Sequence, residues 1–246
     1  PLGGEGQGAF VLNKFSLAAL ISLALGVLNW FWLAKYFKET LPPEKRAELK
    51  APKPGIFKMG KVSNPAVRKT CLSYLFYMIS FSGMEFTLTF LAVERFDYEP
   101  KDIAIMFLLI GFTLILAQGV FVRRFVGPLG EKNMALTGIL IGIVAFAMIS
   151  FIHQESLFYA ALFLMSTGVA FISPTLTALT SLHSKETDQG FHLGVFRSSG
   201  SMARACGPLL AALIYFAFGS SFAYLVGAIF LLVPLIFLSD VPQPII

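Results

Sequence analysis

The chain is poor in charged residues, cysteine and histidine, and each shortage excludes a class of protein. Charged residues make up 13% of its 246 residues, against about 25% in a typical soluble domain. Cys71 and Cys206 lie in different apolar segments, which excludes a disulfide framework and a CxxC redox or zinc motif. The three histidines lack the HExxH spacing. We therefore assign no metal and no cofactor. The chain also contains no GxSxG motif and no acidic metal cluster, so we predict that it is not an enzyme.

Apolar residues are abundant and occur in long runs. The chain is 56% hydrophobic and contains 26 phenylalanines, with a mean hydropathy of +0.75. Runs of about 20 apolar residues are long enough for a helix to cross a hydrocarbon core of about 30 Å. They predict an all-α, multi-pass membrane protein with about seven transmembrane helices, at 15–37, 68–92, 102–123, 133–152, 156–181, 190–217 and 221–239.

The basic residues indicate the orientation of these helices. The segments 35–69, 123–132 and 183–190 together hold fourteen of the 19 lysines and arginines. Loops rich in Lys and Arg remain in the cytoplasm. The 41–67 linker and the C-terminus are therefore expected to be cytoplasmic, in the plasma membrane or an organelle membrane. Because topology accounts for the net charge of +5, we predict no nucleic-acid partner.

Four segments resemble a known family. PLGG (1–4) is similar to the end of the G-P-x-x-G-G motif of helix five in drug/proton antiporters of the major facilitator superfamily, and 37–46 to the charged end of their helix six. RRFVGPLGEKN (123–133) resembles a degenerate copy, without its aspartate, of the G-x-L-x-D-R-x-G-R-K loop motif. Residues 188–215 resemble the Q-G-x-x-x-G…G-P-L-L segment of tetracycline-transporter-like members.

The resemblance implies a 12-helix fold of which this chain is the later part. Residues 1–40 would be the end of the N-terminal bundle, 41–67 a basic cytoplasmic linker and 68–246 the C-terminal six-helix bundle. About five helices would precede the chain, so the missing N-terminal bundle of the same protein is an expected partner. In the loop motif, Arg124, Gly127 and Gly130 would form the gate.

Two arginines lie within the sixth predicted span. Arg197 and Arg204 are seven residues apart, so they share one helix face about 10.5 Å apart along the axis. That face also carries glycine and serine, whereas the other side carries the bulky residues Phe191, Val195, Met202, Leu209 and Leu213. An arginine at mid-membrane costs about 2.5 to 3.5 kcal/mol. We therefore expect this face to meet protein or water, where the arginines either bind solute or hold interhelical carbonyls and loop acids. The following Gly207 and Pro208 would permit a kink.

Two other polar residues lie at membrane depth. Glu85 is the only acid deep within a span, and it is a candidate for proton coupling or for a permanent ion pair with an arginine. Gln118 stands alone on an apolar helix and would either make an interhelical hydrogen bond or contact solute.

The predicted function is secondary active transport of a small organic solute across a lipid bilayer. Two inward arginines suit an organic anion or an amphiphilic drug-like compound, with protons as a candidate coupling ion. Tetracycline exporters do not carry this arginine pair in helix eleven, which favours an anion over tetracycline. The alternative is a transporter-like scaffold or receptor without transport activity.

Overall fold

A computed structural model describes residues 14–38 and 59–244, and all of the regular structure in these ranges is helical. The helices are α1 (Lys14–Tyr36), α2 (Pro65–Phe96), α3 (Pro100–Leu116), α4 (Arg123–Phe151), α5 (Glu155–Leu182), α6 (Gln189–Phe218), α7 (Ser220–Phe230) and α8 (Leu232–Ser239). A 3₁₀ turn at Met59–Lys61 precedes α2, and a π-helical segment, Ala117–Val122, joins α3 to α4.

The chain divides into two compact units, Pro1–Ala51 and Pro52–Ile246. Of the first unit, the structure describes α1 and the two residues after it. The predicted helix-five tail at 1–4 lies outside the described residues, as does the linker between 41 and 58. Helices α2 to α8 belong to the second unit.

Local sequence signals account for where α2 and α3 begin. Asn64 accepts a 2.9 Å hydrogen bond from the Ala66 backbone N–H, and Pro65 occupies the first helical position. Glu99 and Asp102 form a capping box around Pro100 at the start of α3. Proline suits this position because the first helical N–H has no partner within the helix.

Contacts between helix ends show that the chain of the second unit runs back and forth between two opposite ends. At one end, Lys69 pairs with Asp240 at 3.2 Å, and Asn64 donates a 2.7 Å hydrogen bond to the His183 carbonyl. At the opposite end, Tyr98 donates a 2.9 Å hydrogen bond to Glu155. Consecutive membrane-spanning segments therefore run in alternating directions, with α7 and α8 together forming one of them.

Six described helices are long and apolar enough to span a membrane, and the longest runs from Pro100 to Phe151, 52 residues. It begins and ends at the Tyr98 end of the unit, so it must reverse direction. The reversal occurs at Gly130, whose φ of 75° and ψ of 157° are not helical. The part before Gly130 contains the predicted span 102–123, and the part after it contains the predicted span 133–152. The residues between these two predicted spans are largely helical.

Small residues allow the helices of the unit to pack closely. A Cβ on Gly207 of α6 would lie 2.7 Å from the Ile79 carbonyl oxygen of α2. Gly138 and Gly168 bring α4 and α5 together in the same way, with the Gly168 carbonyl oxygen 2.9 Å from a Cβ built on Gly138. In a bilayer, close backbone approach of this kind replaces the hydrophobic effect as the source of helix association.

Candidate functional site

The two arginines of α6 lie at the edge of the surface that packs on α2. Three residues along a helix correspond to a rotation of about 60° from the starting side chain. Arg197 therefore flanks Gly200, and Arg204 flanks Gly207, and both glycines are in tight contact with α2. Both arginine side chains are exposed, and neither has an ion-pair or hydrogen-bond partner among residues 14–38 and 59–244.

The α2 side of this surface is aromatic and polar. The Tyr74 ring stacks on the Phe196 ring, with centroids 4.0 Å apart. A Cβ on Gly200 would lie 2.5 Å from the Tyr74 ring. Tyr77 is 3% exposed, and its hydroxyl lacks a well-formed hydrogen bond to any described group. Ser173 of α5 and Tyr74 lie closest to this hydroxyl, and Glu85 and Arg204 lie in its wider surroundings.

Glu85 is exposed on α2 and makes no ion pair or hydrogen bond with the described part of the chain. Tyr74, Met78 and Ser82, which lie eleven, seven and three residues before Glu85 on the same side of the helix, are buried. Ser82 donates a 3.2 Å hydrogen bond to the Ala203 carbonyl of α6. The carboxylate thus lies beside the α2–α6 contact without being neutralised by a described cation.

One residue of the predicted lipid-facing side of α6 is placed wrongly by the sequence pattern. Val195 is 7% exposed and belongs to the core, whereas Met202, Leu209 and Leu213 are exposed as expected. The surface of α6 that contacts neighbouring helices is wider than the glycine stripe, because α6 also packs against α5 and α7.

Gln118 lies in the π-helical segment between α3 and α4. Its side chain is exposed and has no hydrogen-bond partner in the described ranges. A π-helical turn adds a residue to the helix and often occurs at functional positions. No residue pattern around Gln118 indicates this irregularity.

The predicted gate lies at the end of the unit where α4 reverses direction. Arg124 and Gly127 are exposed, and Gly130 makes the turn. A Cβ on Gly130 would lie 2.7 Å from the Gln243 side-chain oxygen, so the turn is in close contact with the C-terminal segment. Lys132 donates a 2.6 Å hydrogen bond to the Ser239 carbonyl of the same segment.

The loop motif contains an acid that the sequence reading overlooked. Counting from Gly127 and Leu129, the position of the motif aspartate is occupied by Glu131. One carboxylate oxygen of Glu131 is buried and has no hydrogen-bond partner among the described groups. Had glutamate been accepted in place of aspartate, the spacing alone would have identified this residue.

The helix is not interrupted at Gly207 and Pro208, where a kink was predicted. Helix α6 continues from Gln189 to Phe218 through Pro208. Gly207 is buried, and its role in the structure is the close contact with α2.

Arg95 is the other important residue that sequence reasoning missed. Its guanidinium donates hydrogen bonds to the last carbonyls of α4 and to the first hydroxyls of α7: to Ile149 at 2.6 Å, Ile152 at 3.0 Å, Ser150 at 3.2 Å, Ser220 at 3.1 Å and Ser221 at 2.8 Å. We call this set the Arg95 cluster. Because three of its acceptors are backbone carbonyls distant in sequence, no residue pattern could reveal it.

The chain belongs to the Major Facilitator Superfamily. The family profile matches residues 11–186 and 103–245, two overlapping stretches that together cover most of the sequence. The alternating helices and the predicted loop motif agree with that membership.

Relatives within the superfamily are longer than this chain. The bovine major facilitator superfamily domain-containing protein 10 is 30% identical over 98% of this chain and 57% of its own length. The class B tetracycline resistance protein of Escherichia coli is 25% identical over 82% of this chain and 50% of its length. The crystal structure of the human organic anion transporter MFSD10 (TETRAN) superposes with a TM-score of 0.79 at 26% identity, covering 92% of this chain and 57% of that one. The chain therefore spans about half the length of the relatives it matches.

Proposed function

We propose that the protein is a secondary active transporter that moves a small organic anion across a membrane by alternating access. The observation that carries this proposal is the pair Arg197 and Arg204, exposed and without an ionic partner among the described residues. Arginines in direct contact with lipid tails would be unfavourable by about 2.5 to 3.5 kcal/mol each at mid-membrane. A face that carries two of them is suited to an aqueous path.

The chemistry of the arginines supports an anionic solute. A guanidinium binds a carboxylate through two parallel charge-assisted hydrogen bonds. The aromatic rings of Tyr74 and Phe196 beside it could receive the apolar part of an amphiphilic anion. The structurally similar human protein is described as an organic anion transporter, which favours this class over tetracycline.

The rest of the solute path would come from a second bundle. Transporters of this kind bind solute near the bilayer midplane, at the interface between their two halves. Since the matched relatives are almost twice as long as this chain, we propose that an N-terminal bundle of the same protein completes the site. Residues 68–246 would then act as the C-terminal bundle.

The gate and the orientation follow from the basic residues. We propose that the end of the unit that carries Lys69, Gly130 and Asp240 faces the cytoplasm, because most lysines and arginines are close to it in sequence. The turn around Arg124, Gly127 and Gly130 would then lie at the cytoplasmic mouth. Gln118 would line the path about two to three helical turns above it.

Proton coupling through Glu85 is a separate part of the proposal. A carboxylate without a permanent ionic partner can exchange a proton as access alternates, whereas a carboxylate held in an ion pair would remain charged. Glu85 and Arg204 both lie beside the α2–α6 contact. A protonation change at Glu85 would alter the electrostatic field near the deeper arginine.

Transport in proteoliposomes that contain the whole protein, with its N-terminal bundle, would test the substrate class. Benzoate and other aromatic carboxylates would be compared with matched amines such as benzylamine. We expect uptake of carboxylates and a KM increase of about tenfold or more in Arg204→Gln, since a charge-assisted hydrogen bond contributes about 1.5 to 3 kcal/mol. Arg68→Gln, which removes an exposed arginine of α2, should have no effect. Preferential uptake of amines, or an unchanged KM in Arg204→Gln, would refute the anion assignment.

The same vesicles would test proton coupling. An imposed pH gradient should drive uptake by the wild-type protein, and Glu85→Gln should abolish the dependence on the gradient while retaining solute exchange. Glu186→Gln, at an exposed acid in the α5–α6 loop, is the matched control. Gradient-driven uptake that persists in Glu85→Gln would refute the role of Glu85 without affecting the anion assignment.

A further inference from the structure

A cavity of about 260 Å³ lies inside the second unit, between α2, α6 and α7, with Phe146 of α4 at its base. Small residues on two helices create the space, notably Gly207 and Ala211 on α6 and Ala223 on α7. For comparison, an engineered cavity of about 150 Å³ with apolar walls binds benzene. The space is therefore large enough for several methylene groups.

The walls offer little to a polar ligand. Thr87 and Tyr224 line the cavity, but their hydroxyls already interact with each other at 3.4 Å, and Thr87 also donates to the Gly83 carbonyl at 3.1 Å. Ser80 has the only side-chain oxygen of the lining that is buried without a described partner. A buried water needs two to four polar partners, so water is a poor occupant.

The cavity reaches the surface of the protein at a strongly apolar place. Leu210 of α6 lines it and is 47% exposed. The neighbouring Leu213 on α6 and Phe222 on α7 are also exposed. The sequence contains no charged residue between Arg204 and Asp240. The opening therefore lies at the depth of the lipid tails.

On α2, the cavity lies away from Glu85. Residues two apart on a helix point in directions about 160° apart, and Thr87 lines the cavity, so Glu85 lies on nearly the opposite side of α2. On α6, Arg204 lies nearer, because it flanks Gly207 and shares a face with Ala211, and both of these residues line the cavity. The Arg204 side chain itself is exposed and is not part of the lining. The cavity is therefore distinct from the arginine surface but borders it on α6.

We propose that this cavity binds the acyl chain of a membrane lipid, inserted between α6 and α7. An unfilled cavity loses the dispersion contacts that a packed interior provides. Lipid tails are the molecules present at this depth, and they match the apolar walls. The bound chain would fill the space behind Gly207, on the cavity side of the close α2–α6 contact.

Photolabelling of the protein in nanodiscs tests this proposal. The probe is a phosphatidylcholine with a diazirine near the end of one acyl chain, diluted into unlabelled phosphatidylcholine. After illumination, labelled residues are identified by mass spectrometry. We expect adducts on cavity-lining residues such as Met84 and Ile214, in addition to adducts on outward residues such as Leu213. Met84 is informative because it is 4% exposed.

Filling the cavity should remove the inner adducts selectively. Ala223→Phe places a ring in the cavity, and labelling of Met84 and Ile214 should be lost while labelling of Leu213 remains. Ala160→Phe makes the same change at an exposed position of α5 and should alter neither. Val226→Phe narrows the cavity from another point, so the test stands if Ala223→Phe fails to fold. Ser80→Ala should retain labelling, because an acyl chain makes no use of the hydroxyl.

Three results would overturn the proposal. One is labelling of outward residues alone in the wild-type protein. Another is inner labelling that persists in both filled variants. The last is stronger labelling of the cavity by water-soluble 4-azidobenzoate than by the lipid, which would make the space part of the anion path instead.

Discussion

The Arg95 cluster holds together the end of the bundle opposite Asn64, and replacing Arg95 by glutamine should destabilise the protein markedly. The guanidinium reaches three carbonyls at the end of α4, the closest at 2.6 Å, and two serine hydroxyls at the start of α7. Glutamine is shorter, uncharged and has two donors, so most of these acceptors would lose their partner.

The magnitude follows from the number and burial of these bonds. A hydrogen bond to a charged group contributes about 1.5 to 3 kcal/mol when desolvated, and a cation at a helix C-terminus adds about 0.3 to 1 kcal/mol. Arg95 is half-buried, and water can replace part of its contacts. We therefore expect a loss of about 3 kcal/mol, equivalent to a decrease in melting temperature of about 6 to 12 °C for a unit of this size. Arg95→Lys keeps the charge but not the fork of donors, and it should give an intermediate value.

The buried thiol of Cys71 supplies the assay. Cys71 is 0% exposed, so a maleimide fluorophore reacts with it only on unfolding. The second cysteine, Cys206, is half-buried and would be changed to serine first. Arg68→Gln on the same helix is the control and should melt like the parent. A melting temperature of Arg95→Gln within 1 or 2 °C of the parent, on the scale used above, would refute the reasoning.

Two glycine substitutions, each with a matched control, test the close contacts and the turn by the same melting assay. Gly207→Ala would place a Cβ 2.2 Å from a serine hydroxyl oxygen of α2 and should destabilise by about 1 to 3 kcal/mol. Gly194→Ala on the same helix meets no atom within 4 Å and should be neutral or slightly stabilising. Gly130→Ala would combine a φ of 75° with a contact to Gln243 and should lower stability by about 1 to 3 kcal/mol. Gly127→Ala, where the added Cβ meets no atom within 4 Å, should leave stability unchanged. Equal melting temperatures within either pair would contradict the packing described above.

Hydropathy and turn chemistry were sufficient to locate the helices. A helix must be apolar over about 20 residues to cross a bilayer, so each span is encoded in one contiguous stretch. The capping residues Asn64 and Glu99 act within three positions of themselves. What the periodicity missed are departures from ideal geometry: the π-helical turn at Gln118, the helical residues on either side of Gly130 and the interruption between α7 and α8. In α8, Pro234 lacks the N–H that would bond to Phe230.

Membership in the superfamily was likewise predictable, because the motifs that indicate it are short and local. The sequence also identified Arg197, Arg204 and Glu85 as unusual, since any charge within a long apolar run is unusual. Their roles in binding and coupling remain predictions. The packing of α2 against α6 decides which face of α2 lies beside Arg204 and leaves Glu85 without a described ion-pair partner. These two helices are separated by some ninety residues in the sequence.

The sequence by itself thus determined the number of spans, their boundaries to within a few residues and the family, because these depend on local composition. Tertiary structure alone decided the Arg95 cluster, the burial of Val195 and the cavity behind Gly207. Each of these arises from backbone groups and side chains on different helices. Their contacts are fixed by how closely the helices approach, and no residue pattern along one segment records that distance.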